Sequence, residues 1–191
     1  YREKIEFPFF QRHLKGKGEA EHPEAWVFEM GTNQWRKYDR WPPKTARSKS
    51  LFFHAGQRLA FEPPEKNADR GDYDQYLSDP DKPVPYMNGI LAGMKAEYMI
   101  ADQRFASRRP DVLVYQTGEL EEDVTLVGPI EVDLTVSTSG TDSDWVVKLI
   151  DVYPDDYPDP AKNPREVRMG GYQQLVRGDV IRGKFRKSME K

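Results

Sequence analysis

IEVDLTVSTSGTDSDWVVKLIDV, residues 130–152, decides the fold class. Ile130, Val132, Leu134 and Val136 alternate with Glu131, Asp133 and Thr135, so an extended backbone puts the apolar side chains on one face. Ser137-Thr138-Ser139-Gly140 interrupts the pattern. The run from Trp145 to Val152 is then almost continuously apolar, as expected of a central buried strand. Two strands of different exposure joined by a short polar turn predict a mainly β chain.

The pattern extends in both directions. Downstream, residues 153–164 are a Pro- and Asp-rich loop, and residues 171–176 and 180–185 read as two strands around Arg177-Gly178-Asp179. Upstream, residues 111–116 and 124–127 are short strands. Residues 62–83 carry Pro, Asp, Asn, Gly and Lys with little apolar content, which predicts a long surface excursion. Residues 50–54 and 58–61 flank Ala55-Gly56-Gln57 as a hairpin. Residues 26–30 and 35–38 form another around Gly31-Thr32-Asn33, stopped by Trp41-Pro42-Pro43. Residues 1–18 have helical spacing, through Ile5, Phe9, Phe10 and Leu14, with a kink or restart expected at Pro8 and an end at Gly16 and Gly18. Short strands with turns at this spacing predict a β-sandwich or jelly roll.

Composition agrees and excludes several classes. Lys and Arg number 29 against 32 Asp and Glu, a net charge of −3 spread along the chain, which argues against a nucleic-acid or anionic-membrane surface. No stretch approaches the ~18 apolar residues of a membrane span. Leu, Ile, Val and Phe make only 40 of 191 residues, but 4 Trp, 10 Tyr and 9 Phe are too many for a disordered chain. The absence of cysteine excludes disulfides, thiolate metal sites and a cysteine nucleophile. Length allows one domain, or one with part of a second.

Catalytic and metal motifs are missing. No serine stands in G-x-S-x-G at a strand-to-helix turn, and Ser137-Thr138-Ser139-Gly140 enters a turn. His13, His22 and His54 lie on unlike elements without zinc-ligand spacing. Asp142, Asp144, Asp151, Asp155, Asp156 and Asp159 form the densest carboxylate region, yet lack D-x-D-x-D-G spacing and read as turn formers. Gly170-Gly171 has no following helix to make a phosphate loop. The aromatics allow two readings, core packing or stacking on sugar rings. A free-standing carbohydrate-binding module therefore stays open as an alternative.

The wording of several segments narrows the choice. Val27-Phe28-Glu29-Met30-Gly31-Thr32-Asn33-Gln34-Trp35 with Trp41-Pro42-Pro43 resembles the junction segment of the cocaine-esterase-like acyl hydrolases. These are serine hydrolases that include X-prolyl dipeptidyl-peptidases, α-amino-acid ester hydrolases and β-lactam acylases. Similarity continues through Asp81-Lys82-Pro83-Val84-Pro85 with Asn88-Gly89, Asp102-Gln103-Arg104, Arg109-Pro110-Asp111-Val112-Leu113-Val114-Tyr115 and Val127-Gly128-Pro129. Lys148-Leu149-Ile150-Asp151-Val152 and Met169-Gly170-Gly171-Tyr172-Gln173-Gln174-Leu175-Val176-Arg177-Gly178 complete it, the last typical of the acylase-like branch.

The resemblance implies a two-domain division. Residues 1–24 would be the C-terminal remnant of an α/β-hydrolase domain, and residues 25–191 a galactose-binding-like jelly roll lacking its last strands. The serine, aspartate and histidine of the triad would lie upstream, since His13 does not match the catalytic position, so no catalytic residue, metal ligand or cofactor is assigned here. The partners implied are the upstream hydrolase domain and a small acyl or peptide substrate, with neither nucleic acid nor membrane; a homo-oligomer stays open, and compartment is unspecified. In this family a jelly-roll loop overhangs the cleft. By position it matches residues 85–94, PYMNGILAGM, in which Tyr86, Asn88 and Leu91 are the candidate substrate-binding residues.

Overall fold

A computed structural model of the chain describes residues 1–18, 22–65 and 73–188. It contains two compact units, Tyr1–Ser50 with Glu119–Asp133, and Leu51–Gly118 with Leu134–Lys191. Regular structure is mainly β, in three two-stranded antiparallel sheets among the described residues.

The first unit opens with a π-helical turn, Arg2–Glu6, that continues into α1, Phe7–Lys15. The change of pitch falls at Pro8, which lacks an amide hydrogen and fits a helix's first turn. The helix stops at Lys15, at the first of the two glycines read as its end, because Gly16 turns left-handed at φ 61°. The Gly16 and Lys17 amides then return to the carbonyls of Arg12 and Gln11, both at 3.0 Å. One apolar side of α1 stays open: Phe7, Phe9, Phe10 and Leu14 are all exposed.

Strands β1, Ala25–Glu29, and β2, Gln34–Tyr38, form the predicted hairpin, in register from Ala25 opposite Tyr38 to Glu29 opposite Gln34. Gly31 at φ 88° and Asn33 at φ 55° supply its left-handed turn positions. Thr32 Oγ1 donates to Glu29 at 2.6 Å and Arg36 Nη2 at 3.1 Å, and these bonds hold the Glu29 carboxyl below its ordinary pKa. Trp35 packs edge-on against Phe28 and Trp26, while the Lys37 ammonium sits 4.3 Å above the Trp26 ring.

The second unit contains the hairpin of β3, Phe52–His54, and β4, Arg58–Ala60, and the longer pair β5, Asp144–Val152, and β6, Gln173–Arg182. Its other elements are a 3-10 turn at Ala96–Ile100, a short helix α2 at Arg104–Ser107, and a 3-10 turn at Gly183–Phe185. Fully buried apolar side chains among the described residues are Ala60, Ala106 and Leu175, while many large apolar side chains are exposed.

Five strand-level predictions need correction. Arg177-Gly178-Asp179 is not a turn: β6 runs straight through it, with a bulge where the partner register slips between Leu149 and Ile150. Gly178 is extended and stands opposite Lys148, so it serves close approach rather than reversal. Residues 124–127 and 130–136 join no ladder among the described residues, and Val124, Leu126, Ile130, Val132 and Val136 are exposed. Alternation marks a face but does not supply a neighbouring strand. Residues 111–116 contribute only a parallel bridge from Gln116 to Arg58. Likewise β5 pairs on one side alone among the described residues, with Val146 and Val152 exposed, and is not the buried central strand expected. Part of the predicted excursion, residues 66–72, and of the polar segment after α1, residues 19–21, lies outside the described residues.

The segment 109–116 is nevertheless fastened. Arg109 grips Asp111 in a two-pronged ion pair at 2.8 and 2.6 Å, which keeps that carboxyl below its ordinary pKa. The Gln116 amide donates to Gln57 O at 3.0 Å, and the Leu59 amide to Gln116 O at 2.8 Å. Tyr115 lies edge-on to Phe53 at 4.5 Å and donates to Asp74 Oδ2 at 2.6 Å. Burial, and then that bond, push the phenol from an ordinary 10.0 up to about 12. The folded value exceeds the unfolded one, so this stabilisation is complete below pH 10.0 and is lost as pH rises through about 12. Phenolate titration of Tyr115→Phe should therefore lack one of the latest-ionising tyrosines. An identical high-pH limb would contradict the raised pKa of Tyr115.

Candidate functional site

Residues 85–94 have no helix or strand, and both glycines take left-handed conformations, Gly89 at φ 111° and Gly93 at φ 74°. The loop is closed on itself by one strong bond, Tyr86 Oη to Gly93 O at 2.6 Å. Of the sequence-predicted residues, Tyr86 is half-buried, whereas Asn88 and Leu91 are exposed. Two neighbours missed by that prediction project furthest: Ile90 is 105% exposed and Met94 87%. With Leu91, and with Met99 and Ile100 exposed on the adjoining 3-10 turn, they give this stretch an apolar surface.

Beneath this segment, β5 and β6 carry a polar centre. Lys148 stands opposite Gly178, and a Cβ at residue 178 would come within 3.3 Å of Lys148 Cγ and 3.4 Å of Tyr98 Oη. Glycine thus leaves room for the lysine stem. The Lys148 ammonium donates to Gln103 Oε1 at 2.7 Å, with the rings of Tyr98 and Phe105 at 5.9 and 5.7 Å. Burial lowers the pKa of Lys148. Gln103 is 2% exposed and spends its remaining groups locally, Nε2 on Ala101 O at 2.7 Å and its amide on Gln173 O at 3.0 Å.

Arg104 ties the same segment to the turn before β6. Its Nε donates to Asp102 Oδ2 at 2.6 Å, Nη1 to Gly170 O at 3.0 Å, and Nη2 to Arg168 O at 2.9 Å. Asp102 Oδ1 also accepts the Gln173 amide at 3.3 Å, and Tyr172 Oη donates to Ile100 O. Asp102-Gln103-Arg104 and Met169-Gly170-Gly171-Tyr172, far apart in sequence, therefore form one cluster.

The other candidate groups make local contacts, each within its own unit. His54 places Nε2 3.0 Å from Glu62 O and Nδ1 3.1 Å from Arg58 Nη2. His13 and His22 both pack on Phe9, with ring centroids at 4.4 and 5.5 Å. Asp142 accepts the Ser143 amide at 2.9 Å, Asp144 pairs with Arg182 at 3.1 Å, and Asp159 accepts the Met169 amide at 2.7 Å. These carboxylates serve turns and ladder ends. Among the described residues no three His, Asp or Glu side chains gather as a metal site.

Comparison with known proteins identifies the chain's relatives. Residues 18–191 match the family model of the X-Pro dipeptidyl-peptidase C-terminal non-catalytic domain. Cocaine esterase from Rhodococcus sp. is 36% identical over 162 residues, covering 77% of this chain and 27% of the esterase. The crystal structure of an aminopeptidase from a marine sediment Thaumarchaeota archaeon superposes with a TM-score of 0.79 at 35% identity, over 98% of this chain and 30% of that one. The chain thus spans under a third of the length of either relative. It belongs to the family of X-Pro dipeptidyl-peptidase C-terminal non-catalytic domains.

Proposed function

We propose that this chain is the non-catalytic C-terminal part of a serine acyl hydrolase, acting on an ester, amide or X-Pro peptide through an acyl-enzyme. The serine, histidine and aspartate would belong to an α/β-hydrolase domain outside residues 1–191. Residues 1–24 would end that domain, and residues 25–191 would form the jelly roll that packs on it. The role of the chain is then to cover the catalytic domain with its outward apolar surface and to wall the cleft with residues 85–94. Tyr86 would hold the wall's shape, Asn88 would offer a polar contact to substrate, and Leu91 an apolar one.

The observation carrying this reading is the loop itself. It presents Ile90, Leu91 and Met94 outward yet is closed by the Tyr86–Gly93 bond. An apolar surface on a fastened loop suits a wall better than a free linker. In the full-length protein, Leu91→Trp should lower kcat/KM for a bulky acyl ester by about tenfold relative to an acetyl ester, chiefly through KM. Folding should be unaffected, because Leu91 is already exposed. An unchanged ratio of the two esters would remove Leu91 from the cleft.

A further inference from the structure

The loop rests on something specific. The Tyr86 ring, whose hydroxyl closes the loop, lies 6.0 Å from Tyr98, tilted by 51°. Tyr98 stands over the Lys148–Gly178 pair of the β5–β6 sheet, with the Lys148 ammonium 5.9 Å from its ring centre. The space that glycine leaves is filled by the lysine stem and the Tyr98 hydroxyl end. The ammonium is fixed in turn by Gln103, whose side chain is buried and has its own partner in Ala101 O.

Each contact constrains the next. Lys148 has one buried acceptor for its charge and two ring faces beside it, so moving it out of register with Gln103 costs a charge-assisted hydrogen bond in a partly dry setting. Tyr98 cannot settle lower, because Gly178 and the lysine stem form its floor. Tyr86 then sits against a ring whose height is set by the sheet.

We propose that Tyr98 and Lys148 are positioning residues for substrate selectivity: seated on Gly178 and held by Gln103, they fix the height of residues 85–94 through Tyr86. This rests on the reading of that loop as a wall of the cleft. It goes beyond it by placing a determinant of acyl-group preference on the β5–β6 sheet, in side chains that touch no substrate.

The test uses the full-length enzyme, the acetyl and bulky acyl esters, and limited proteolysis mapped to residues 85–94. Tyr98→Ala and Lys148→Met should each change the ratio of kcat/KM for the two esters by about fivefold, carried by KM. Both should speed cleavage within residues 85–94 severalfold. Tyr98→Phe, which keeps the ring against Tyr86 but loses the hydroxyl that meets Gly178, should change both readouts in the same direction as Tyr98→Ala and by less. Unchanged proteolysis in Tyr98→Ala and Lys148→Met would overturn the anchoring. Faster proteolysis without a selectivity change, in an enzyme where Leu91→Trp does change it, would overturn the selectivity role alone. If Leu91→Trp also has no effect, the wall reading fails, and the selectivity proposal falls with it.

Discussion

Gly170→Ala should lower stability by about 3 kcal/mol. A Cβ at residue 170 would lie 2.2 Å from the Asp155 carbonyl oxygen and 3.1 Å from its carbonyl carbon. Both atoms are backbone, so no side-chain rotation relieves the clash. Neither segment can withdraw freely. The Gly171 amide donates to Pro154 O at 3.0 Å, the Tyr153 amide to Tyr172 O at 2.9 Å, and Gly170 O accepts from Arg104 at 3.0 Å. Separating the segments would forfeit these bonds. Urea unfolding should show a lower midpoint with an unchanged m-value. Gly140→Ala is the control, since its Cβ would meet nothing closer than Thr138 Oγ1 at 3.7 Å. Equal midpoints for the two variants would mean that residues 155 and 170 are not apposed.

Arg104→Met should cost about 2 kcal/mol. The thioether keeps much of the volume but removes donors to the Asp102 carboxylate and to the carbonyls of Gly170 and Arg168. Arg104 and Asp102 side chains are only 24% and 27% exposed, so water replaces those bonds incompletely. Arg104→Lys should recover little, because one ammonium cannot span three acceptors that match a guanidinium's directions. A double-mutant cycle with Asp102→Asn apportions the effect: coupling should account for roughly half of the loss, and the carbonyl bonds for the rest. If lysine restores full stability, charge alone matters and the forked geometry does not.

Sequence reading reached the elements whose signals are local. The β1–β2 hairpin follows from Gly31 and Asn33, which accept the left-handed conformations of a tight turn. The β3–β4 hairpin follows similarly from Gly56 and Gln57, at φ 72° and 60°. The end of α1 is set by Gly16. What depends on distant partners was less legible. Gly178 carries the signature of a turn, and only its register opposite Lys148 reveals an extended residue making room for a side chain. Residues 130–136 have a strong period of two, yet a period specifies which face is apolar and not what lies beside it. The candidate loop was found from its resemblance, and its support from Tyr98, Lys148 and Gln103 was missed. Those residues come from separate segments, and a lysine within an apolar strand was the one available hint.

Under the proposed function, a domain without chemistry of its own would act on a reaction through the placement of residues 85–94. Substrate preference depends on the position of apolar groups to within fractions of an ångström, and a loop holds such a position only if something rigid supports it. Here the support is a bulged antiparallel pair, a buried glutamine and a lysine whose charge is taken up by that glutamine and two rings.

The most direct test of the central claim is active-site labelling of the full-length protein with a fluorophosphonate, followed by mass-spectrometric mapping of the modified serine. The labelled serine should lie outside residues 1–191, in a G-x-S-x-G segment, with loss of hydrolysis in step with labelling. Stoichiometric label on a serine of this chain, such as Ser139 or Ser107, with the same loss of activity, would contradict a non-catalytic role.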